Sequence, residues 1–177
     1  GARGADRGRG PLRVMAAGRP DFRTLLSPGD PAAIERLVRD TGFFSTEETA
    51  IARELADDGL ANGPASHYRF VIAGQDGALL GYTCFGPIPG TRSGWDLYWI
   101  AVRHEAQGQH LGRNLLEITE RAVQAAGGTR LYAETSSRAQ YEPTRAFYLR
   151  RGYTVVAQLP EFYGPGDDKL VYSKLIG

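Results

Sequence analysis

The chain has 177 residues, of which 21 are Lys or Arg and 20 are Asp or Glu. The formal net charge of +1 removes the bulk electrostatic basis for binding nucleic acid or an anionic membrane, so neither is expected as a partner. A single cysteine, Cys84, excludes an intramolecular disulfide, and the length suits one domain with a substantial core.

The N-terminal residues 1–18 are rich in Gly and Arg and lack hydrophobic periodicity, which predicts a flexible arm before one domain at 19–177. The arginines of this arm leave a second function class open, an RNA- or ribosome-associated protein. The sequence contains no apolar run of about 18 residues and no signal-peptide core, which predicts a cytoplasmic protein without membrane association.

The first third of the domain predicts a short strand followed by two helices. The strand covers residues 21–26, and Asp30 is the expected N-cap of the first helix. Ser45 and Glu48 have the spacing of a capping box, which opens a second helix with Ile51, Leu55 and Leu60 on its predicted buried side.

Three strands are predicted next. Residues 67–73 and 78–85 flank a Gln-Asp-Gly turn and form a hairpin, in which Cys84 is expected to be a small packed residue. A segment rich in Gly and Pro then breaks regular structure before an apolar, aromatic central strand at 95–102.

A polar loop at 107–112 joins this central strand to a helix. Unpaired backbone N–H groups at a helix N-terminus form a site suited to an anion such as a pyrophosphate. Glycines in the loop permit a close approach to the anion, and Arg103 and Arg113 add positive charge. The apolar face of the helix consists of Leu111, Leu115, Ile118 and Ala122.

The last third predicts a strand at 131–135 and a helix at 143–151 that ends at Gly152. A further strand, a loop containing residues 162–168 and a final strand at 169–175 complete the domain.

Two motifs resemble the signatures of the GNAT superfamily of acetyl-CoA-dependent N-acetyltransferases. Residues 107–112, Gln-Gly-Gln-His-Leu-Gly, are similar to its coenzyme loop, with His110 in place of the middle glycine. Histidine is enriched among non-glycine residues at positive φ. Residues 146–153, Ala-Phe-Tyr-x-x-x-Gly-Tyr, are similar to the second signature. Their order and spacing identify the chain as a member of the superfamily.

The resemblance implies an α/β (α+β) GNAT-like acyl-CoA N-acyltransferase fold, with a mixed, mostly antiparallel central sheet of about six to seven strands flanked by about four helices. It implies acetyl-CoA as co-substrate and an amine as acceptor, and it allows a homodimer. We predict no metal, because the histidines and carboxylates lack the spacing of a ligand set.

The resemblance also implies where the coenzyme binds, at the end of the central strand and along the loop that follows it. Tyr141 takes the position of a pantetheine-contacting asparagine, where it either supplies a hydroxyl or aromatic wall or simply packs at the helix start. The implied cofactor-binding residues are Ile100, Ala101, Val102, Gln107, Gly108, Gln109, His110, Leu111, Gly112, Arg113, Tyr141 and Tyr148.

Two catalytic residues follow from the same resemblance. Tyr148 is the expected general acid that protonates the departing thiolate. Asp96 lies where several members carry a catalytic glutamate, so it is the candidate base, acting through water because aspartate is shorter. The alternatives are Glu134, bulk water, or a purely structural Asp96.

The acceptor side of the superfamily is formed by the first two helices and the loop before the last strand. Its acidic and aromatic composition suits a cationic, small or amino-acid-like amine. Open alternatives are a protein lysine or N-terminus, another acyl-CoA, and a non-catalytic acyl-CoA-binding module. The residues concerned are Phe43, Phe44, Glu47, Glu48, Glu161, Phe162, Tyr163, Asp167 and Asp168.

Overall fold

The structure is a computed structural model that describes residues 18–177, so the predicted arm at 1–18 lies outside the described residues except for Gly18. Two helices pack on each face of a seven-stranded sheet. The strands are β1 (Asp21–Arg23), β2 (Arg69–Gln75), β3 (Ala78–Pro87), β4 (Gly94–Val102), β5 (Arg130–Ser136), β6 (Thr154–Gly164) and β7 (Asp167–Leu175). The helices are α1 (Asp30–Asp40), α2 (Thr46–Asn62), α3 (Leu111–Ala125) and α4 (Glu142–Arg150).

The sheet has the order β1-β2-β3-β4-β5-β7-β6, and every neighbouring pair is antiparallel except β4 and β5. The parallel ladder begins at Gly94 with Arg130 and ends at Leu97 with Ala133. Both strands continue beyond that last pair, so they diverge and leave a gap in the middle of the sheet. The end of the central strand, where the coenzyme was predicted to bind, lies beside this gap.

A β-bulge in β4 lies at the edge of this gap. Cys84 pairs with Trp99 and Phe85 pairs with Leu97, which leaves Tyr98 as the extra residue. Such a bulge places consecutive side chains on one side of the sheet, and both Tyr98 and Trp99 pack against the core beneath α1 and α2. The strand therefore presents two neighbouring aromatic rings to the same side.

The sheet separates two apolar cores. The core beneath α3 and α4 includes Leu111, Leu115 and Leu116, with the predicted Ile118 and Ala122 partly buried beside it. The core beneath α1 and α2 includes Cys84, which is fully buried as predicted.

The predicted N-cap of α2 was right, and the predicted N-cap of α1 was wrong. The capping box of α2 is confirmed, because Ser45 Oγ accepts the N–H of Glu48 at 3.1 Å and the Glu48 carboxylate accepts the N–H of Ser45 at 2.8 Å. Asp30 is the first residue of α1 and not its N-cap, which is Gly29. The Asp30 carboxylate instead accepts the N–H of Ser27 and pairs with Arg23, both at 2.6 Å.

The predicted buried side of α2 was wrong at Ile51 and right at Leu55, which is partly buried against the core. Ile51 is 47% exposed, and the buried positions are held by small residues, including Ala52, Ala56 and Gly59. A Cβ atom at Gly59 would lie 2.6 Å from Cε2 of Phe70. The helix therefore approaches β2 too closely at Gly59 for a larger side chain, and hydrophobic size alone does not identify the packed positions.

The predicted loop at 162–168 was also wrong, because β6 and β7 form a hairpin whose turn is only Pro165 and Gly166. Pairing lapses between Leu159 and Gly164, where β6 bulges outward. The Asp168 carboxylate holds the bulge by accepting the N–H of Glu161 at 2.8 Å. The turn-forming residues of this segment had predicted an irregular loop. The segment is a strand instead, and a side-chain hydrogen bond takes the place of the missing backbone pairing.

Candidate active site

Two clefts meet at the gap between β4 and β5. The acidic cleft, of about 590 Å³, lies among the α1–α2 connection, β4, β5 and the β6–β7 hairpin. The glycine-loop cleft, of about 640 Å³, lies between the end of β4, the 107–112 loop and α4. The residues that line both clefts are Phe43, Ile100, Gln140 and Thr144.

The loop that enters α3 has the left-handed turns that its sequence predicted. Gly108 has φ 82°, and His110 has φ 60° and ψ 16°. No side chain caps α3, so among the described residues nothing from a side chain meets its first backbone N–H groups. Because the first turn of a helix lacks intrahelical acceptors, these groups are available to an anion in the glycine-loop cleft.

Most of the predicted cofactor-binding residues lie together in the glycine-loop cleft. Gln109 is exposed and does not line it, whereas Tyr141 and Tyr148 line the acidic cleft instead. Arg103 is exposed and lines neither cleft. The predicted residues that line the glycine-loop cleft are Ile100, Ala101, Val102, Gln107, Gly108, His110, Leu111, Gly112 and Arg113.

The opposite wall of the glycine-loop cleft comes from α4 and was not predicted. A Cβ atom at Gly112 would lie 3.6 Å from Cε2 of Phe147 and 3.8 Å from Cγ2 of Val102, which are ordinary contact distances. Arg150 and Arg151, at the end of α4, line the same cleft. The sequence does contain a signal for this wall, the arginine pair before Gly152, but that segment predicted only the end of a helix.

Tyr148 reaches the acidic cleft from α4 and is 3% exposed. Its ring packs against Tyr172 at 5.5 Å and Tyr153 at 5.6 Å between centroids. Burial raises the pKa of the Tyr148 phenol well above its ordinary value, and Tyr172 adds to the shift. The hydroxyl is therefore protonated at neutral pH, as a proton donor requires.

Asp96 lies on β4, half-buried in the acidic cleft and paired in the ladder with Tyr132. Burial raises the pKa of its carboxyl group, and the nearby Glu134 carboxylate raises it further, against smaller opposing effects of Lys169 and His67. Asp96 forms no ion pair within residues 18–177. It is a carboxylate poised to accept a proton.

Glu134 lines the same cleft from β5 but has a different environment. Its Oε2 lies 2.7 Å from Nζ of Lys169, whose side chain is only 15% exposed. The same ammonium lies 4.1 Å from the centre of the Phe162 ring. Glu134 is therefore in an ion pair with Lys169, whereas Asp96 has none among the described residues.

The acidic cleft contains a part of the predicted acceptor side. Tyr163 lies there with its pKa raised to about 12, mainly by burial and then by Glu134. Tyr141 donates its hydroxyl to the carbonyl of Phe43 at 3.1 Å, which joins two walls of the cleft. Five predicted residues line it: Phe43, Phe44, Glu48, Tyr163 and Asp167. The four that do not line it are Glu47, Glu161, Phe162 and Asp168.

Two aromatic residues of the acidic cleft were missed. Trp99 packs edge-on against Phe44 with 4.7 Å between centroids. Tyr98 shares a hydrogen bond of 2.9 Å with Nε2 of His67, and burial raises its pKa to about 12. Their common orientation depends on the bulge, for which the sequence carries no turn or glycine signal.

Within residues 18–177, no three His, Cys, Asp or Glu side chains lie close enough together to hold a metal ion. The same part of the chain contains no helix with the length and apolar character needed to cross a membrane.

Comparison with known proteins places this geometry in a family. The sequence profile described as the acetyltransferase (GNAT) family matches residues 32–153. A crystal structure from Desulfovibrio desulfuricans, assigned to the GNAT family as an acetyltransferase, is 43% identical, with a TM-score of 0.88 over 90% of this chain and 100% of that one. A comparison with curated proteins found no significant match.

Two more distant structures share the fold. An aminoglycoside 6′-N-acetyltransferase complexed with coenzyme A is 20% identical, with a TM-score of 0.72 over 89% of this chain and 97% of that one. A protein from Salmonella typhimurium, described with its cofactor acetyl-CoA, is 21% identical, with a TM-score of 0.72 over 90% of this chain and 95% of that one.

Proposed function

This chain belongs to the GNAT family of acetyltransferases, and from that premise we propose that it transfers an acetyl group from acetyl-CoA to a small cationic primary amine. The observation that carries the proposal is the meeting of two unlike clefts at the β4–β5 gap. One offers helix N–H groups to an anionic donor, and the other offers carboxylates and aromatic rings to a cationic acceptor.

The glycine-loop cleft fits the donor. The uncapped N-terminus of α3 suits a pyrophosphate, and the glycine at position 112 keeps the cleft open between β4 and α4. Beyond Leu97, β4 has no parallel partner, so its backbone is available to pantetheine and to the acetyl group along Ile100–Val102. A backbone N–H there would polarise the thioester carbonyl as its oxygen gains charge.

The reaction needs two proton transfers. The amine nitrogen attacks the thioester carbon, the carbon–sulfur bond breaks, and the nitrogen loses a proton while the thiolate gains one. Tyr148 is the proposed donor to the thiolate, because burial keeps its hydroxyl protonated at the cleft wall.

Asp96 is the proposed acceptor of the amine proton, through one water molecule. Its raised pKa and its lack of a cationic partner favour it over Glu134, which is bound to Lys169. Glu134 is therefore the second choice of base.

The charge of the acidic cleft supports a cationic acceptor. Its carboxylates are Glu48, Asp96, Glu134 and Asp167, and Arg138 is the cationic residue in its described lining. Lys169 is paired with Glu134, so three carboxylates stand against Arg138. Aromatic rings beside carboxylates favour an ammonium group over a neutral or anionic molecule.

Residues 19–177 form the proposed catalytic domain.

A thiol-release assay with acetyl-CoA tests the proposal. The panel contains polyamines, aminoglycosides, amino acids, and peptides with a free N-terminus or lysine, together with uncharged hydroxyl analogues of the amines. We expect the small polycations to react fastest and the hydroxyl analogues to be inactive. Preference for peptides would favour protein acetylation, and acetyl-CoA binding without thiol release from any compound would favour a non-catalytic coenzyme-binding module.

A further inference from the structure

A small side cavity opens from the glycine-loop cleft where α3 and α4 meet the end of β7. This cavity, the basic notch, has a volume of about 280 Å³. It shares Arg113, Arg150 and Arg151 with the glycine-loop cleft, so the two spaces adjoin at these arginines. The remaining lining residues are Leu116, Glu117, Glu120 and Lys174.

The two carboxylates of the notch are already occupied. Glu117 Oε1 accepts a hydrogen bond from Nε of Arg113 at 3.0 Å. Glu120 accepts hydrogen bonds from Lys174 Nζ at 3.0 Å and from the Tyr153 hydroxyl at 2.9 Å. In the notch, Arg113 and Lys174 therefore already balance the charges of Glu117 and Glu120. Arg150 and Arg151 add two further positive charges.

Arg150 and Arg151 have no ion pair with any described carboxylate. The Nε–H group of Arg151 is buried and has no hydrogen-bond partner in the described structure. A buried donor without an acceptor is unfavourable for the folded protein. Two unmatched guanidinium groups at one junction thus provide both the charge and the donors for an anion.

We propose that Arg151, with Arg150 beside it, binds the 3′-phosphate of the coenzyme's ribose and makes the enzyme selective for CoA over dephospho-CoA. The inference rests on the proposed function, in which CoA occupies the glycine-loop cleft. The pyrophosphate has its own donors at the N-terminus of α3. The second phosphate group of CoA is a monoester, and a planar guanidinium binds such a group with two parallel hydrogen bonds.

Calorimetry with acetyl-CoA and acetyl-dephospho-CoA tests this assignment directly. We expect the unmodified protein to bind acetyl-CoA at least about tenfold more tightly. In Arg151→Gln this ratio should fall to about twofold or less, because acetyl-CoA binds more weakly while acetyl-dephospho-CoA is unaffected. Arg150→Gln should lower the ratio less, because Arg150 is exposed.

Arg121→Gln is the matched control, because Arg121 is an exposed arginine of α3 that lines neither the cleft nor the notch. It removes the same charge and should leave the ratio unchanged, and thermal melting should show all three variants folded. Equal affinities of the unmodified protein for the two ligands would overturn the inference alone. Equal weakening of both ligands in Arg151→Gln would also overturn it. Failure of both ligands to bind the unmodified protein would overturn the proposed function as well.

Discussion

The backbone carbonyl of Tyr148 accepts a hydrogen bond from the N–H of Tyr153 at 3.0 Å, across the end of α4. Gly152 makes this possible with φ 87°, and its own N–H bonds to the carbonyl of Leu149 at 3.1 Å. These two bonds form a Schellman motif. The motif that ends the helix therefore also fixes the backbone of the proposed general acid.

Tyr148→Phe tests the proton donor. We expect the turnover rate to fall by about 10²-fold or more, with acetyl-CoA affinity little changed, because the ring stays and only the hydroxyl is lost. Tyr172→Phe is the control, since it removes a hydroxyl from the neighbouring buried ring, which does not line either cleft. Equal turnover in Tyr148→Phe and the unmodified enzyme would mean that another group protonates the thiolate.

Asp96→Asn tests the base through pH. The variant should lose most activity at low pH, where the amine is protonated, and recover part of it as rising pH supplies neutral amine. The measurement is the pH profile of kcat/KM. A defect of equal size at every pH would instead indicate that Asp96 positions the substrate, and full activity would move the search to Glu134 or bulk water.

The same variant has a predicted effect on stability. Because the folded-state pKa of Asp96 is raised, its ionised carboxylate lowers the free energy of unfolding. This destabilisation is present at neutral pH and disappears below the ordinary carboxyl pKa of about 4. Asp96→Asn should therefore raise the melting temperature at pH 7, and the difference should shrink as the pH falls towards 3.

Gly112→Val tests the glycine-loop cleft. The position tolerates a Cβ without a close contact to the protein, so the variant should fold, yet the added methyl groups would occupy the cleft between β4 and α4. We expect acetyl-CoA affinity to fall by more than about tenfold. Calorimetry that shows unchanged affinity in a folded variant would remove the coenzyme from this cleft.

His110→Gly asks whether the imidazole has a role of its own. His110 has a left-handed conformation that glycine adopts without strain. If the side chain only occupies a turn position, the variant should keep its acetyl-CoA affinity and its melting temperature. A loss of affinity larger than about tenfold would show instead that the imidazole contacts the ligand.

Gly128→Ala probes the packing behind the gap. A Cβ atom there would lie 2.4 Å from Cγ1 of Val123 and 2.5 Å from Cδ1 of Trp95, so the surrounding packing must shift. We expect denaturant unfolding to show a loss of about 1–3 kcal/mol. Gly29→Ala is the control, because Gly29 has φ −81° and open space around it. That change should be neutral or stabilise the protein.

The sequence predicted those features whose signals are local. The capping box at Ser45, the turn conformation of His110 and the strand–loop–helix order around it each depend on a few consecutive residues, and the structure confirms them. The family motifs likewise lie within single segments, and every residue of the 107–112 loop except Gln109 lines the glycine-loop cleft.

Features that depend on contacts distant in sequence were not predicted. The buried side of α2 depends on how closely Gly59 approaches Phe70, and the outward bulge of β6 depends on Asp168. The arginines of the basic notch require α3, α4 and β7 to be placed together before their charges can be compared. The spacing of residues within one segment cannot predict which side chains from other segments will lie beside them.

The hydrogen bond from Tyr141 to the carbonyl of Phe43 has a broader consequence for this protein. It joins the α1–α2 connection to the segment before α4, and Tyr163 from the β6–β7 hairpin completes the same wall. Connecting segments tolerate replacement better than the regular elements they join. In the proposed assignment, part of the acceptor wall therefore lies in the segments that contain Phe43 and Tyr141, which can be exchanged, while the donor site lies on β4, α3 and α4. Grafting these segments from a relative should redirect the enzyme to a new amine without rebuilding its donor site.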